Sequence, residues 1–222
     1  MTGATRKGRL GYQIARCLLE EGNHLVIAEH AHPCDLPSCY PSQVRTCPVD
    51  FADPQSIPLL IEAAGAFDGI INAASEFLPA RFGETSLDEF RRVMDIHAVA
   101  PFVLAQCYAR TGMQGSIVHL LDSNALSGPG KRTAYRLAKQ ALADQVRLLA
   151  PVLAPRIRIN GVAPGLVVVA QGEEEFSRKE CATLPLERLA TTGEVFQAVR
   201  YLLEAPSVTG QTLFVDSGAF LR

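Results

Sequence analysis

Residues 1–22 read MTGATRKGRLGYQIARCLLEEG. A glycine-bearing turn from Thr2 to Gly11 opens straight onto a segment with helical periodicity that ends at Gly22. Such a turn aims backbone N–H groups and the positive end of the helix dipole at an anion, so the stretch predicts a phosphate loop. Alone, the pattern also fits an ordinary helix N-terminus. In open α/β folds this loop follows a buried central strand, and here only Met1 precedes Thr2. Two expectations follow. Either the natural chain begins upstream of Met1, or the strands at 24–28 and 69–74 close up beside each other.

Outward from that turn, short apolar runs alternate with helix-period segments. The runs are HLVIA (24–28), TCPVD (46–50), GIINAA (69–74), GSIVHLL (115–121), RIRINGVAP (156–164) and QTLFVD (211–216). Between them, helices are predicted near 54–65, from Leu87 to Arg110, from Ala134 to Leu149 and from Glu194 to Leu203. Strands separated by helices imply βαβ units. Strands that are apolar without alternation imply a parallel sheet covered on both faces. The expected fold is therefore α/β: a Rossmann-like, doubly wound, three-layer αβα domain spanning 1–222. It would have a mainly seven-stranded sheet once a first strand, missing or truncated here, is supplied. The segment HAHPCDLPSCYPSQVRT (30–46) lacks a clear helix and reads as a loop or a shortened crossover.

With 48% hydrophobic and 20% charged residues, the chain can bury a sizeable core. A net charge of −2 without a basic run argues against a nucleic-acid partner. No apolar run is long enough to span a bilayer, and no h-region opens the chain. The six cysteines at 17, 34, 39, 47, 107 and 181 form no CxxC pair and no metal-ligand spacing, so no metal site is expected. Scattered thiols fit a reduced, cytoplasmic setting.

Further motifs give the first turn its meaning. Glu29 stands eighteen residues after Gly11, just past LVIA, where an acid meets the adenosine ribose hydroxyls. Downstream come Val49–Asp50, NAAS (72–75), YRLAK (135–139), NGVAPG (160–165) and TGQTLFVDSG (209–218). This ordered set, covering essentially the whole chain, resembles the short-chain dehydrogenase/reductase family. The resemblance implies that Gly3, Arg9, Leu10 and Gly11 seat a pyrophosphate and that Asp50 and Phe51 flank the adenine. It also implies that Asn72 and Ala73 line the ribose region and that Pro164, Gly165 and Leu166 border the nicotinamide. A homo-oligomer, dimer or tetramer, built through two long helices is implied as well.

Tyr135 and Lys139 stand four residues apart on one predicted helix and so share a face. A lysine cation beside a phenol is expected to pull the phenol pKa down toward the working range. The resemblance implies that Tyr135 is the proton donor and that Lys139 also anchors the nicotinamide ribose. The family's serine, thirteen residues before the tyrosine, is replaced by Asp122, with Ser123 one position off. An aspartate there resembles pteridine reductases and the dihydromonapterin reductase type, where a carboxylate pairs with an amino-pyrimidine edge. The plain alternative is a strand-end aspartate capping the following loop. His97, in MDIHAVAPF, takes the place of the family's catalytic asparagine and is expected to hold a proton-relaying water, or else to be a buried core histidine. For the substrate, Arg9, Ser75, Phe77, Asp122 and Tyr135 are the expected contacts. The pteridine-reductase aromatic position is occupied by Glu76, with Phe77 one residue later, and the glycine loop is two residues longer than in that subgroup.

Cofactor choice pulls two ways. Glu29 favours NADH, because a carboxylate repels a 2′-phosphate. The subgroup favours NADPH, and His30, His32, Lys7 and Arg9 are the cations near that site. The reading leans to NADPH and to hydride transfer onto a C=N bond of a dihydropterin. Two other readings stay open: a short-chain reductase acting on a ketone or 3-oxoacyl substrate, and a non-catalytic dinucleotide-binding protein. The segment 167–181 is expected to be a substrate loop.

Overall fold

A computed structural model of the chain describes residues 1–30, 32–78, 80–127, 131–167 and 174–222, apart from the side chains of Glu174 and Phe176. The elements run α1 (Leu10–Glu20), β1 (Leu25–Glu29), α2 (Leu36–Cys39), β2 (Val44–Pro48), α3 (Ile57–Ala64) and β3 (Gly69–Asn72). They continue with α4 (Leu87–Met94), α5 (Ala100–Arg110), β4 (Gly115–Leu120), α6 (Ser123–Leu126) and α7 (Thr133–Leu153). The last are β5 (Ile157–Pro164), α8 (Glu174–Cys181), α9 (Thr192–Glu204) and β6 (Thr212–Val215). The crossover at 30–46 is indeed shortened, to the four-residue α2. Residues 168–173 of the expected substrate loop at 167–181 lie outside the described residues, and its C-terminal part forms α8.

All strand pairs are parallel, in two sheets: β1–β2, and β3–β4–β5–β6. Alternate residues of the strands feed opposite faces, as a pleated strand requires. Ile70, Ile117, Ile157 and Ile159 pack with α3, α5 and the end of α7. Ile71, Val118, Leu120 and Val162 pack with α1 and α9 on the other face. The three-layer αβα reading is thus correct.

The strands at 24–28 and 69–74 do not close up beside each other: β1 and β3 belong to separate sheets. Between them lie only Met1 and Thr2. The Met1 amine donates to the Val26 carbonyl at 2.5 Å, and the Ala28 N–H donates to the Met1 carbonyl at 2.9 Å. On the other side, the Thr2 N–H donates to the Ile71 carbonyl at 3.0 Å, forming an isolated parallel bridge to Asn72. Two residues therefore splice the sheets at the position of a central strand. The described residues hold six strands rather than seven.

One long helical stretch carries part of the site. α4 passes into a π-helical segment, Asp95–Val99, and then into α5, whose first turn contains Pro101. Proline has no N–H to donate, so the carbonyl four residues back, that of His97, loses its ordinary helical partner. The wider π turn accommodates that loss. The neighbouring Ala98 carbonyl accepts from Gln145 Nε2 of α7 at 2.8 Å.

Candidate active and cofactor site

The phosphate loop is built on close backbone contact. Gly3 has a φ of +69°, and a Cβ there would stand 2.1 Å from the Ala73 carbonyl oxygen. A Cβ on Gly11 would stand 2.3 Å from the Gly3 carbonyl oxygen. Only glycine fits either place. Thr2, which the sequence reading used only to mark the start of the turn, is the clasp. Its hydroxyl donates to Asn72 Oδ1 at 2.8 Å and accepts from the N–H groups of Ala73 and Ala74 at 3.0 and 2.9 Å. The tip of β3, with Asn72 and Ala73, is thereby tied to the loop.

Two hollows adjoin this loop. One, about 550 Å³, is lined by Arg6, Lys7, Arg9, His32 and Pro33. The other, about 630 Å³, is lined by Glu29, His30, Pro33, Pro48, Val49 and Asp50. A cationic hollow beside one walled by proline and valine with a carboxylate at its edge suits a phosphorylated adenosine. Several side chains expected to face the nucleotide have protein partners. Glu29 accepts from the Cys34 N–H at 2.5 Å, Lys7 pairs with Asp35 at 2.5 Å, and His30 Nε2 lies 3.4 Å from Asp50 Oδ1. Phe51 is buried in a core cluster that also holds Val49 of the second hollow. Pro164 ends β5, and the Gly165 N–H donates to the Val215 carbonyl at 3.1 Å, which fixes the turn carrying Leu166.

At the C-terminal ends of β3 and β4 the expected catalytic residues converge. The Tyr135 hydroxyl donates to Asp122 Oδ2 at 2.9 Å. Asp122 Oδ1 accepts from the Ala125 N–H at 3.2 Å, capping α6. The capping reading of Asp122 is seen at Oδ1, while Oδ2 holds the Tyr135 hydroxyl. Ser123 is buried, and its hydroxyl has no hydrogen-bond partner. Lys139 Nζ donates to the Leu120 carbonyl at 2.9 Å and sits 6.0 Å from the Tyr135 ring centroid.

The electrostatics correct one expectation. Tyr135 is not activated by a lowered pKa. Burial raises it first, and the charge and hydrogen bond of Asp122 raise it further, against smaller opposing effects from Ser75 and Arg132. The carboxylate stands at hydrogen-bond distance, whereas the lysine is turned onto a backbone carbonyl. Lys139 itself is pushed down to about 8 by burial, with Asp122 acting the other way.

His97 is fully enclosed, and its ring stands edge-on to Tyr135 at 5.3 Å. Its Nε2 lies 3.0 Å from the Glu76 carbonyl oxygen and 3.3 Å from the Glu76 N–H, while Nδ1 has no partner. Burial, then Lys139, push its pKa down to about 3, so the ring is neutral at physiological pH. His119, read before only as part of a strand, is a second enclosed imidazole. Its Nδ1 is 3.4 Å from Asn72 Nδ2, and burial, then Lys139, bring its pKa to about 3. Because Thr2 holds Asn72 Oδ1, the amide nitrogen faces His119. Nδ1 therefore accepts and Nε2 carries the proton. The histidine in an apolar strand was the available signal.

Phe77 forms the outer wall, edge-on to Tyr135 at 5.8 Å, and Ser75 beside it is exposed. Glu76, between them, pairs with Arg92 at 2.8 Å. Among the described residues no three His, Cys, Asp or Glu gather as a metal site, and no helix is long and apolar enough to cross a membrane.

Known proteins resemble this arrangement along its whole length. A family model described as Enoyl-(Acyl carrier protein) reductase matches residues 3–219. Dihydromonapterin reductase of Klebsiella pneumoniae is 27% identical over 232 residues, covering 100% of this chain and 96% of that protein. The Escherichia coli O6:K15:H31 protein of the same name is 25% identical with the same coverage. Among solved structures, FolM alternative dihydrofolate reductase 1 from Brucella suis, in complex with NADP, has a TM-score of 0.88. It is 27% identical, and the match covers 100% of this chain and 94% of that one. An apo SCOR enzyme from Clostridium thermocellum shares the fold, with a TM-score of 0.85 and 24% identity over 100% of this chain and 91% of its own.

Proposed function

The chain belongs to the short-chain dehydrogenase/reductase family and is an NAD(P)H-dependent oxidoreductase, and on that footing we propose that it reduces the C=N bond of a dihydropterin with NADPH. The observation that carries this is the Tyr135–Asp122 hydrogen bond of 2.9 Å, with a carboxylate where the family has a serine. The relatives named for dihydromonapterin and dihydrofolate reduction, and the NADP-bound structural neighbour, support it.

What the reduced nicotinamide supplies when bound is a hydride for the carbon of the C=N bond. The chain's own groups do the rest. Asp122, held by α6, accepts N–H groups from the amino-pyrimidine edge and so sets the orientation of the ring. Tyr135, whose raised pKa keeps its proton in place at neutral pH, gives that proton to the nitrogen. Lys139 supplies donors at the ribose. His97, neutral and fixed by the Glu76 backbone, offers Nδ1 as an acceptor for a proton-relaying water. Gly3, Arg9, Leu10 and Gly11 seat the pyrophosphate, and Asn72 and Ala73 line the ribose region. Asp50 and His30 border the adenine, and Pro164, Gly165 and Leu166 border the nicotinamide. Ser75, Phe77 and Arg9 edge the substrate. The cationic hollow of Arg6, Lys7, Arg9 and His32 supports NADPH over NADH.

The 222 residues act as one domain in this reading, and as a homo-oligomer. Exposed Phe102 on α5, and exposed Leu137, Leu148 and Val152 on α7, support assembly through these helices. A carrier-bound acyl substrate is the competing reading, since the matching family model bears that description. Purified protein assayed with NADPH against dihydromonapterin, dihydrobiopterin and acetoacetyl thioester decides between them. We expect turnover of the pterins; turnover of the thioester alone overturns the proposal.

A further inference from the structure

Arg132 stands at the mouth of the site in an unusual posture. It immediately precedes α7 and has φ 64° and ψ 52°, a left-handed conformation uncommon for a residue with a long side chain. Non-glycine residues held there concentrate at functional positions. Its guanidinium carbon lies 4.2 Å from the centroid of the Phe77 ring, and Phe77 in turn touches Tyr135 edge-on at 5.8 Å. A guanidinium carries its N–H groups in one plane, as a fork whose geometry matches a carboxylate. Among the described residues Arg132 makes no ion pair. The nearest acid on the Phe77 strap, Glu76, is paired with Arg92 instead. Lys131 beside it is exposed and adds to the positive charge. Half-buried, and close enough for its charge to be felt by the Tyr135 phenol, Arg132 is, among the described residues, a cation without an anion at the rim of a reductase site.

We propose that Arg132 determines substrate choice by pairing with a carboxylate on the tail of the substrate, so that the site favours a dihydropterin bearing an acidic side chain over one with a neutral polyol. This rests on the dihydropterin reading above. Phe77 fixes the direction of the fork, and Asp122 fixes the ring. A substituent leaving the pterin ring over the Phe77 edge then meets the guanidinium. Two parallel N–H···O bonds to a carboxylate are the geometry a guanidinium forms best.

The test compares dihydrofolate, whose glutamyl tail carries two carboxylates, with dihydromonapterin, whose tail is uncharged. Both are assayed with NADPH in wild type, Arg132→Gln and Arg132→Lys. The kcat/KM ratio of dihydrofolate to dihydromonapterin should fall about tenfold in Arg132→Gln, through KM, the size of one exposed charge-assisted hydrogen bond. Arg132→Lys, which keeps the charge and loses the fork, should recover part of it. Raising ionic strength should shrink the wild-type preference and leave the ratio in Arg132→Gln unmoved. Equal changes for both substrates mean that Arg132 only steadies Phe77, and overturn this inference while leaving the pterin reading intact. If wild type reduces neither pterin, the pterin reading fails and takes this inference with it.

Discussion

The two sheets of this molecule are held together unlike each other. In β3–β6 four strands pair in unbroken register, and the polar side chains enclosed around them, Asn72, Asn160 and Lys139, find partners on neighbouring strands and loops. In β1–β2 two strands pair only with each other and reach the rest of the sheet through Met1 and Thr2. The groups proposed for chemistry rise from the larger sheet, and the hollows proposed for adenosine adjoin the smaller. Chemistry demands placement to fractions of an ångström, whereas a nucleotide gripped by loops tolerates more give. The division of labour follows the division of the sheet.

The sharpest way to break that comparison is to remove the proton donor on α7, the helix packed on the larger sheet. Tyr135→Phe should lower kcat by about 10²- to 10⁴-fold and leave NADPH binding, read by fluorescence titration, as in wild type. Activity that survives unaltered removes Tyr135 from its role. Next is the splice. Thr2→Val strands the Ala73 and Ala74 N–H groups and the Asn72 carbonyl oxygen, and should cost about 3 kcal/mol in urea unfolding. A loss below about 0.5 kcal/mol would show that the hydroxyl does not tie the halves together.

Acid probes the larger sheet and the helix beside it from inside. His97 and His119 have folded pKa values near 3 against an ordinary 6.5. Between those limits the unfolded chain binds more protons, so stability is complete above about pH 6.5 and falls as pH drops toward 3. Each histidine contributes a slope of up to about 1.4 kcal/mol per pH unit. Unfolding free energies at pH 7, 6 and 5 should show this, and His119→Asn should lose its share of the slope. An unchanged slope in that variant means that His119 is not held neutral. Smallest is the effect on the nucleotide side. Glu29→Gln should raise the NADPH-to-NADH preference by about threefold, the scale of an exposed charge. No gain takes Glu29 out of cofactor choice.

Local relations were legible in the amino-acid sequence. The order of strands and helices followed from apolar periodicity, and Tyr135 and Lys139 share a face because they are four apart on a helix. Asp122 was found through the family resemblance, which places a polar side chain thirteen residues before the tyrosine. Relations that need the tertiary fold were not legible. The Thr2 clasp joins residues seventy apart. Lys139 was expected to lower the Tyr135 pKa because the pair is visible in one helix, but the raising contact comes from a carboxylate on another element. The burial of Phe51 was likewise not legible, since it depends on a turn after Asp50 that packs the ring against α3 and α5. The left-handed turn at Arg132 carries no glycine to announce it.

The π-helical segment at Asp95–Val99 sets the phase of everything before it. An α-helix turns about 100° per residue, and a π turn holds one residue more than the α-helical path needs. Because the wider turn absorbs that residue, α4 and α5 keep the phase of one continuous helix on either side of it. A residue inserted or deleted elsewhere between α4 and α5 would instead turn one against the other by about 100°. Val93, now packed against Tyr135, Ala125 and Ala138, would then swing out of that contact. The bulge is where this helix takes up an extra residue without losing either face.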